Sequence, residues 1–75
     1  ALNPDDAKAL AALGWYRAAL GEHGAGIELA LRAETLGREP AEVAYYNAQT
    51  FALAGRADDA RRRVTRALDA GASPT

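Results

Sequence analysis

Residues 7–21 read AKALAALGWYRAALG, and residues 41–55 read AEVAYYNAQTFALAG. Both stretches are rich in alanine, the best helix former. Neither alternates apolar and polar residues with period two, and each ends on a glycine of the kind that stops a helix. They lie 34 residues apart, so Ala7 aligns with Ala41, Ala18 with Ala52 and Gly21 with Gly55. The same register pairs Arg32 with Arg66, Ala33 with Ala67, Gly37 with Gly71 and Pro40 with Pro74. Alanine matches come cheaply in a chain with 20 alanines. The Gly–Gly–Pro coincidences weigh more, because they punctuate the chain at equivalent turns. A period of 34 residues with two helices in each predicts an all-α fold of helix-turn-helix repeats, four antiparallel helices in all.

Working outward, the breakers divide the chain into four segments. The first helix is expected over about residues 5–20, with Asn3 as its cap, Pro4 in its first turn and Asp5 and Asp6 at its positive end. Leu10, Leu13, Tyr16 and Leu20 read as its apolar stripe. The second spans about residues 25–36, with Ile27, Ala30 and Leu31 inward and Gly37 as its stop. The third starts near Pro40 and ends at Gly55, with Val43, Tyr46, Thr50 and Phe51 on one side. The fourth spans about residues 58–70, with Ala60, Val64, Ala67 and Leu68 on one side, and ends at Gly71. The 75 residues therefore read as a single domain. Residues 1–6 are the end of a preceding repeat or a linker, 7–40 the first repeat and 41–74 the second.

Composition limits what such a domain can be. The chain is 49% hydrophobic, but more than half of those residues are alanine. A domain this small buries only about 60% of its unfolded surface, so the core is thin and needs backbones packed closely. There is no Cys, hence no disulfide scaffold and no Cys-based metal site. No apolar run approaches the roughly 20 residues that span a membrane. A net charge of −1 argues against a general nucleic-acid binder. The chain has no Met, and the reading is that it is processed or cut from a longer protein. Abundant Ala, Gly and Arg beside a single Lys read as a GC-rich, bacterial coding sequence.

The motifs inside each repeat are more specific. The first carries Leu10-x2-Leu13-Gly14, then Gly21, Gly26 and Ala33. The second carries Ala44-x2-Asn47-Ala48-x2-Phe51, then Gly55, Ala60 and Ala67. In this pattern the chain resembles the tetratricopeptide repeat (TPR) family over nearly its whole length. The resemblance implies a TPR-like α-solenoid, in which small residues let paired helices approach. Gly14, Gly26, Ala33, Ala48, Ala60 and Ala67 are the candidates for that contact. The opening Leu2-Asn3-Pro4-Asp5-Asp6 resembles the junction between two repeats, which implies another repeat before Ala1. Two positions depart from the family: Arg17 where Tyr is usual, and Asn47 where Leu is usual. Both are expected to be buried. A buried unpaired charge does not persist, so Arg17 is expected either to have a partner or to reach solvent; the pair considered is a hydrogen bond between Arg17 and Asn47 across helices one and three.

By the same resemblance, the first helix of each repeat lines a concave groove that takes an extended peptide or a partner's helix. The groove-facing positions are then Lys8, Ala11, Trp15 and Ala18 on the first helix, and Glu42, Tyr45, Gln49 and Leu53 on the third. Their spacing is that of helical stripes. Trp15 reads either as a partner contact or as packing against a neighbouring helix. Some family members clamp a C-terminal carboxylate with Lys and Asn on the first helix. Ala11 and Trp15 stand at those places here, so that function is not expected, and the groove suits an apolar or helical ligand.

Catalysis has little to stand on. The single His23 falls in a turn, the single Ser73 lies beside Pro74 with no base in sight, and Asp5, Asp6, Asp58 and Asp59 read as helix-end charges. The glycines at 21, 24 and 26 lack the strand and the lysine of a phosphate loop. No catalytic residue, cofactor or metal ligand is assigned. The run Arg61-Arg62-Arg63, with Arg56 and Arg66, reads as a solvated outer face; an acidic protein surface or nucleic acid are the alternatives. Arg61 replaces Ile27 of the first repeat, which suits a polar cap on the last repeat of an array or an arginine that lays its stem on apolar surface. The function expected is non-catalytic protein–protein interaction through the groove of helices one and three. A homo-oligomerisation scaffold is the alternative, since arrays of this kind normally need three repeats or more, and a DNA-binding helix-turn-helix comes last.

Overall fold

A computed structural model describes residues 6–36 and 41–69. It contains four helices: α1 (Ala7–Ala19), α2 (His23–Glu34), α3 (Ala41–Leu53) and α4 (Ala57–Asp69). Among the described residues there is no strand. Asn3, Pro4, Asp5, Gly37, Pro40, Gly71, Ser73 and Pro74 lie outside the described residues. The helix cap of α1 is Asp6 rather than Asn3, and the helix starts at Ala7: the Asp6 carboxylate accepts hydrogen bonds from the backbone N–H groups of Lys8 at 3.0 Å and Ala9 at 3.2 Å. That satisfies two donors that the first turn leaves open, an interaction worth about 1 kcal/mol.

The helix starts repeat at the 34-residue interval, α1 to α3 and α2 to α4. The turns that follow α1 and α3 repeat as well, bond for bond. The N–H of Glu22 reaches the carbonyl of Arg17 at 2.9 Å, and that of Gly21 reaches Ala18 at 3.0 Å. In the second turn Arg56 reaches Phe51 at 2.8 Å, and Gly55 reaches Ala52 at 3.1 Å. This is the Schellman motif, which needs a left-handed residue at its centre. Gly21 at φ 90° and Gly55 at φ 78° supply it. Because each glycine turns the chain at once, α2 begins at His23, two residues before the sequence suggested, with Gly26 N–H already bonded to the carbonyl of Glu22 at 2.9 Å.

α1 packs on α2, α3 packs on α4, and α1 and α2 both pack on α3. The radius of gyration is 11.2 Å, close to the roughly 11 Å expected of one compact 75-residue body. The α1–α2 crossing is made of backbone. A Cβ added to Gly26 would lie 2.7 Å from the carbonyl oxygen of Gly14, and one added to Gly14 would lie 2.8 Å from that of Gly26. The core has two parts. One gathers Leu10, Ala11, Ala33 and Val43, with Leu29 and Tyr46 at its edge; the other gathers Ala30, Phe51 and Ala60, with Ile27. Phe51 is the largest fully buried side chain, worth about 2–3 kcal/mol by burial.

Five residues read as inward face outward: Tyr16 is 56% exposed and Leu20 58%, and Leu31 is exposed too, as are Val64 and Leu68 on α4. The reason is steric. Where helices touch through Gly14, Ala18 and Gly26, only the smallest side chains fit, so the buried stripe of α1 is Leu10, Ala11, Gly14 and Ala18. Larger neighbours rotate outward.

Candidate functional site

The eight groove positions separate into two groups. Lys8 and Trp15 on α1, and Glu42, Tyr45, Gln49 and Leu53 on α3, all stand on the surface. Ala11 and Ala18, expected beside them, are buried instead, at 0% and 2% exposure. Ala11 belongs to the core with Leu10, Ala33 and Val43, and Ala18 lies against Gly26. They hold the helices together and offer a partner nothing to touch.

The packing of α1 on α3 sets Lys8 beside Glu42, and Trp15 beside Gln49 and Leu53. Lys8 Nζ lies 3.8 Å from Glu42 Oε2 at one end. Further along, Trp15, Gln49, Ala52 and Leu53 line an open depression of about 320 Å³ whose walls are mainly apolar. Trp15 is anchored from beneath: its ring centroid is 6.2 Å from that of Tyr46 with the planes tilted by 44°. It nevertheless stays 38% exposed, and Tyr45, on the same side of α3, 42% exposed. Trp15 thus packs and remains available, where the sequence offered one or the other. Tyr46, read only as core, is the residue that fixes the Trp15 ring. Ala52 was missed, although it lies one helical turn beyond Gln49 and so on the same stripe.

A second polar constellation lies inside the domain, between α2, α3 and α4. Arg63 is 5% exposed. Its guanidinium makes a two-pronged pair with Glu34, Nε to Oε2 at 2.7 Å and Nη2 to Oε1 at 3.0 Å. It also donates from Nη1 to the carbonyl of Asp59 at 3.1 Å and lies 4.0 Å from the centre of the Phe51 ring. Asn47 donates from Nδ2 to Glu34 Oε2 at 3.0 Å and to the carbonyl of Ala30 at 3.1 Å. Arg66 Nη1 approaches Glu34 at 3.6 Å. Among the described residues, Asn47 Oδ1 alone is a buried side-chain polar atom with no hydrogen-bond partner. Two expectations are corrected here. Arg17 does not meet Asn47; of the two outcomes open to it, it reaches solvent, where it pairs with Glu22 at 2.9 Å. Arg63 is not on a solvated face, though Arg61 and Arg62 are, paired with Asp58 and Asp59.

His23 is the first residue of α2 and is exposed. Among the described residues no three His, Cys, Asp or Glu side chains gather where a metal ion could be held, and no helix is long and apolar enough to cross a membrane. No protein-family model, no curated protein and no solved structure matches the chain.

Proposed function

We propose that this chain is a non-catalytic protein–protein interaction module built of two TPR-like helix pairs, and that a peptide or a partner's helix lies across the α1–α3 face. The observation that carries the reading is the exposure of Trp15 and Tyr45 beside an apolar depression, with the Trp15 ring already fixed by Tyr46. Rigid, half-exposed Trp and Tyr side chains are the residue types that dominate binding energy at interfaces, and a pre-fixed ring loses little entropy on docking. The Lys8–Glu42 pair at one end gives the face a charged margin without a net charge, which suits an apolar or amphipathic segment. Arg56 and the arginines of α4 also fit a protein-binding reading. Arg56, Arg61, Arg62, Arg63 and Arg66 each lie within ion-pair distance of an Asp or Glu of this chain, whereas phosphate contacts call for cations held free for them.

The test compares wild type with Trp15→Ala/Tyr45→Ala as bait in quantitative pull-downs, after matched circular dichroism shows both folded. The expected outcome is a discrete set of proteins whose capture falls by about tenfold or more, the effect of losing 1.4 kcal/mol or more at a hot spot. An unchanged set of captured proteins would show that the face is assigned wrongly.

A further inference from the structure

The surfaces at the two ends of the helix stack are exposed where their internal equivalents are covered. On α3, Val43, Asn47, Thr50 and Phe51 are buried against α1 and α2. The residues 34 positions earlier on α1 are Ala9, Leu13, Tyr16 and Arg17, and all are half-buried or exposed. On α2, Ala30 and Glu34 cover α3. Their equivalents on α4 are Val64 and Leu68, 39% and 46% exposed. We propose that a second copy of this chain docks end to end, its α1 laid on α3 and α4 of the first in the way that α3 lies on α1 and α2.

Two features of the chain match that occupant. The first is a correlated exchange of side chains. Inside the chain the junction is closed by Glu34 on α2, Asn47 on α3 and Arg63 on α4. Shifted by one repeat, those three places are held by Leu68 of one copy and by Leu13 and Leu29 of the next. All three polar partners become leucine together, so the copy-to-copy junction closes as an apolar trio and leaves no member of the polar set stranded. A single polar-to-leucine change would leave its partners unpaired in a desolvated site. The second feature is charge. Lys8 pairs with Glu42 across α1 and α3; between copies Glu42 takes the place of Lys8, and the next Lys8 takes the place of Glu42, so the pair forms again with opposite signs facing. The junction departs from the internal one where Phe51 and Ile27 stand: those places, core inside the chain, pass to Arg17 and Arg61, each already paired with a carboxylate of its own chain, Glu22 and Asp58. The surface used is the pair of end faces, not the Trp15 depression. Such a contact is heterologous: each copy offers one end and accepts the other, so association continues past the dimer.

Sedimentation equilibrium on the full chain tests this. The weight-average mass is expected to rise at least twofold between about 10 μM and 1 mM, as for an end-to-end contact of micromolar to submillimolar affinity. Leu68→Lys, at a half-exposed site, is expected to hold the protein monomeric over that range with an unchanged helical circular dichroism spectrum. Leu13→Asn/Leu29→Arg/Leu68→Glu, which rebuilds the internal polar set between copies, is expected to recover association that Leu68→Glu alone lacks. Trp15→Ala is expected to leave the mass curve unchanged, which separates this inference from the proposed binding face. A strict monomer at 1 mM, or association that Leu68→Lys does not weaken, overturns the proposal.

Discussion

After α1 the chain turns with Arg17 paired to Glu22; after α3, at the positions 34 residues on, it turns with Arg56 lying 5.3 Å from the centre of the Phe51 ring. The backbone hydrogen bonds of the two turns are the same, and the glycine at the centre of each has the same left-handed conformation. Only the side-chain contact that closes the motif has changed, from an ion pair to a cation–π contact. The helix crossings differ in the same manner. α1 meets α2 through Gly14 and Gly26, with carbonyl oxygens where side chains would be, while the equivalent positions of α3 and α4 are held by Ala48 and Ala60. Leu13 and Leu29 of the first pair become Asn47 and Arg63 of the second, and the second pair is tied to the first through Glu34. The lesson is that the backbone frame is used twice, and each position of the frame accepts more than one side-chain chemistry provided its neighbours change with it.

The sharpest way to break this comparison is at Glu34. Glu34→Ala strips Arg63 and Asn47 of their shared acceptor inside the domain, and breaking one side of a buried pair is expected to cost about 3–5 kcal/mol, read as a lowered midpoint in urea. Next in size is the α1–α2 crossing. Gly26→Leu drives a side chain into the Gly14 carbonyl and is expected to destabilise by about 1–3 kcal/mol, whereas Ala60→Gly at the equivalent place on α4 removes one methyl and should cost no more than the lower end of that range. A melting temperature unchanged by Gly26→Leu would mean that the crossing is looser than the backbone contact implies. Smallest are the turns. Gly21→Ala and Gly55→Ala place a Cβ in a left-handed conformation with no clash, and each is expected to cost about 1–2 kcal/mol. Since the two turns share their geometry, the two losses should agree; a large difference would show that the closing contacts, Arg17–Glu22 and Phe51–Arg56, carry unequal weight.

Much of the frame was legible because it is written in residues with few conformational options. Gly21 and Gly55 mark left-handed turns, and Gly26 marks a close approach; neither reading needs the partner helix to be known. The outward positions of Tyr16 and Leu20 were not legible, because α1 is apolar around most of its circumference and its burial is decided by where the helices touch. The Arg61-Arg62-Arg63 run shows a different limit. As a run it reads as surface, yet Ala60, Arg63 and Ala67 fall on one helical stripe, and Ala60 and Ala67 are buried. The stripe put Arg63 inside; only the structure supplies the reason it is tolerated there, since Glu34 lies 29 residues away in the chain. On the candidate face, the family resemblance, with which the helical spacing agrees, placed Lys8, Trp15, Glu42, Tyr45, Gln49 and Leu53 on the surface together. It misplaced Ala11 and Ala18, because side chains this small are the ones that fit where helices cross.

The claim that one frame serves both helix pairs is tested most directly by giving the internal junction the residues of its equivalents. The measurement is the urea unfolding free energy of Glu34→Leu/Asn47→Leu/Arg63→Leu beside that of Glu34→Ala. If the frame accepts either chemistry, the triple variant remains folded and lies within about 1 kcal/mol of wild type or above it, as replaced buried ion pairs often do. If the triple variant instead loses as much stability as Glu34→Ala, the polar set is specific to this junction and the two helix pairs are not interchangeable.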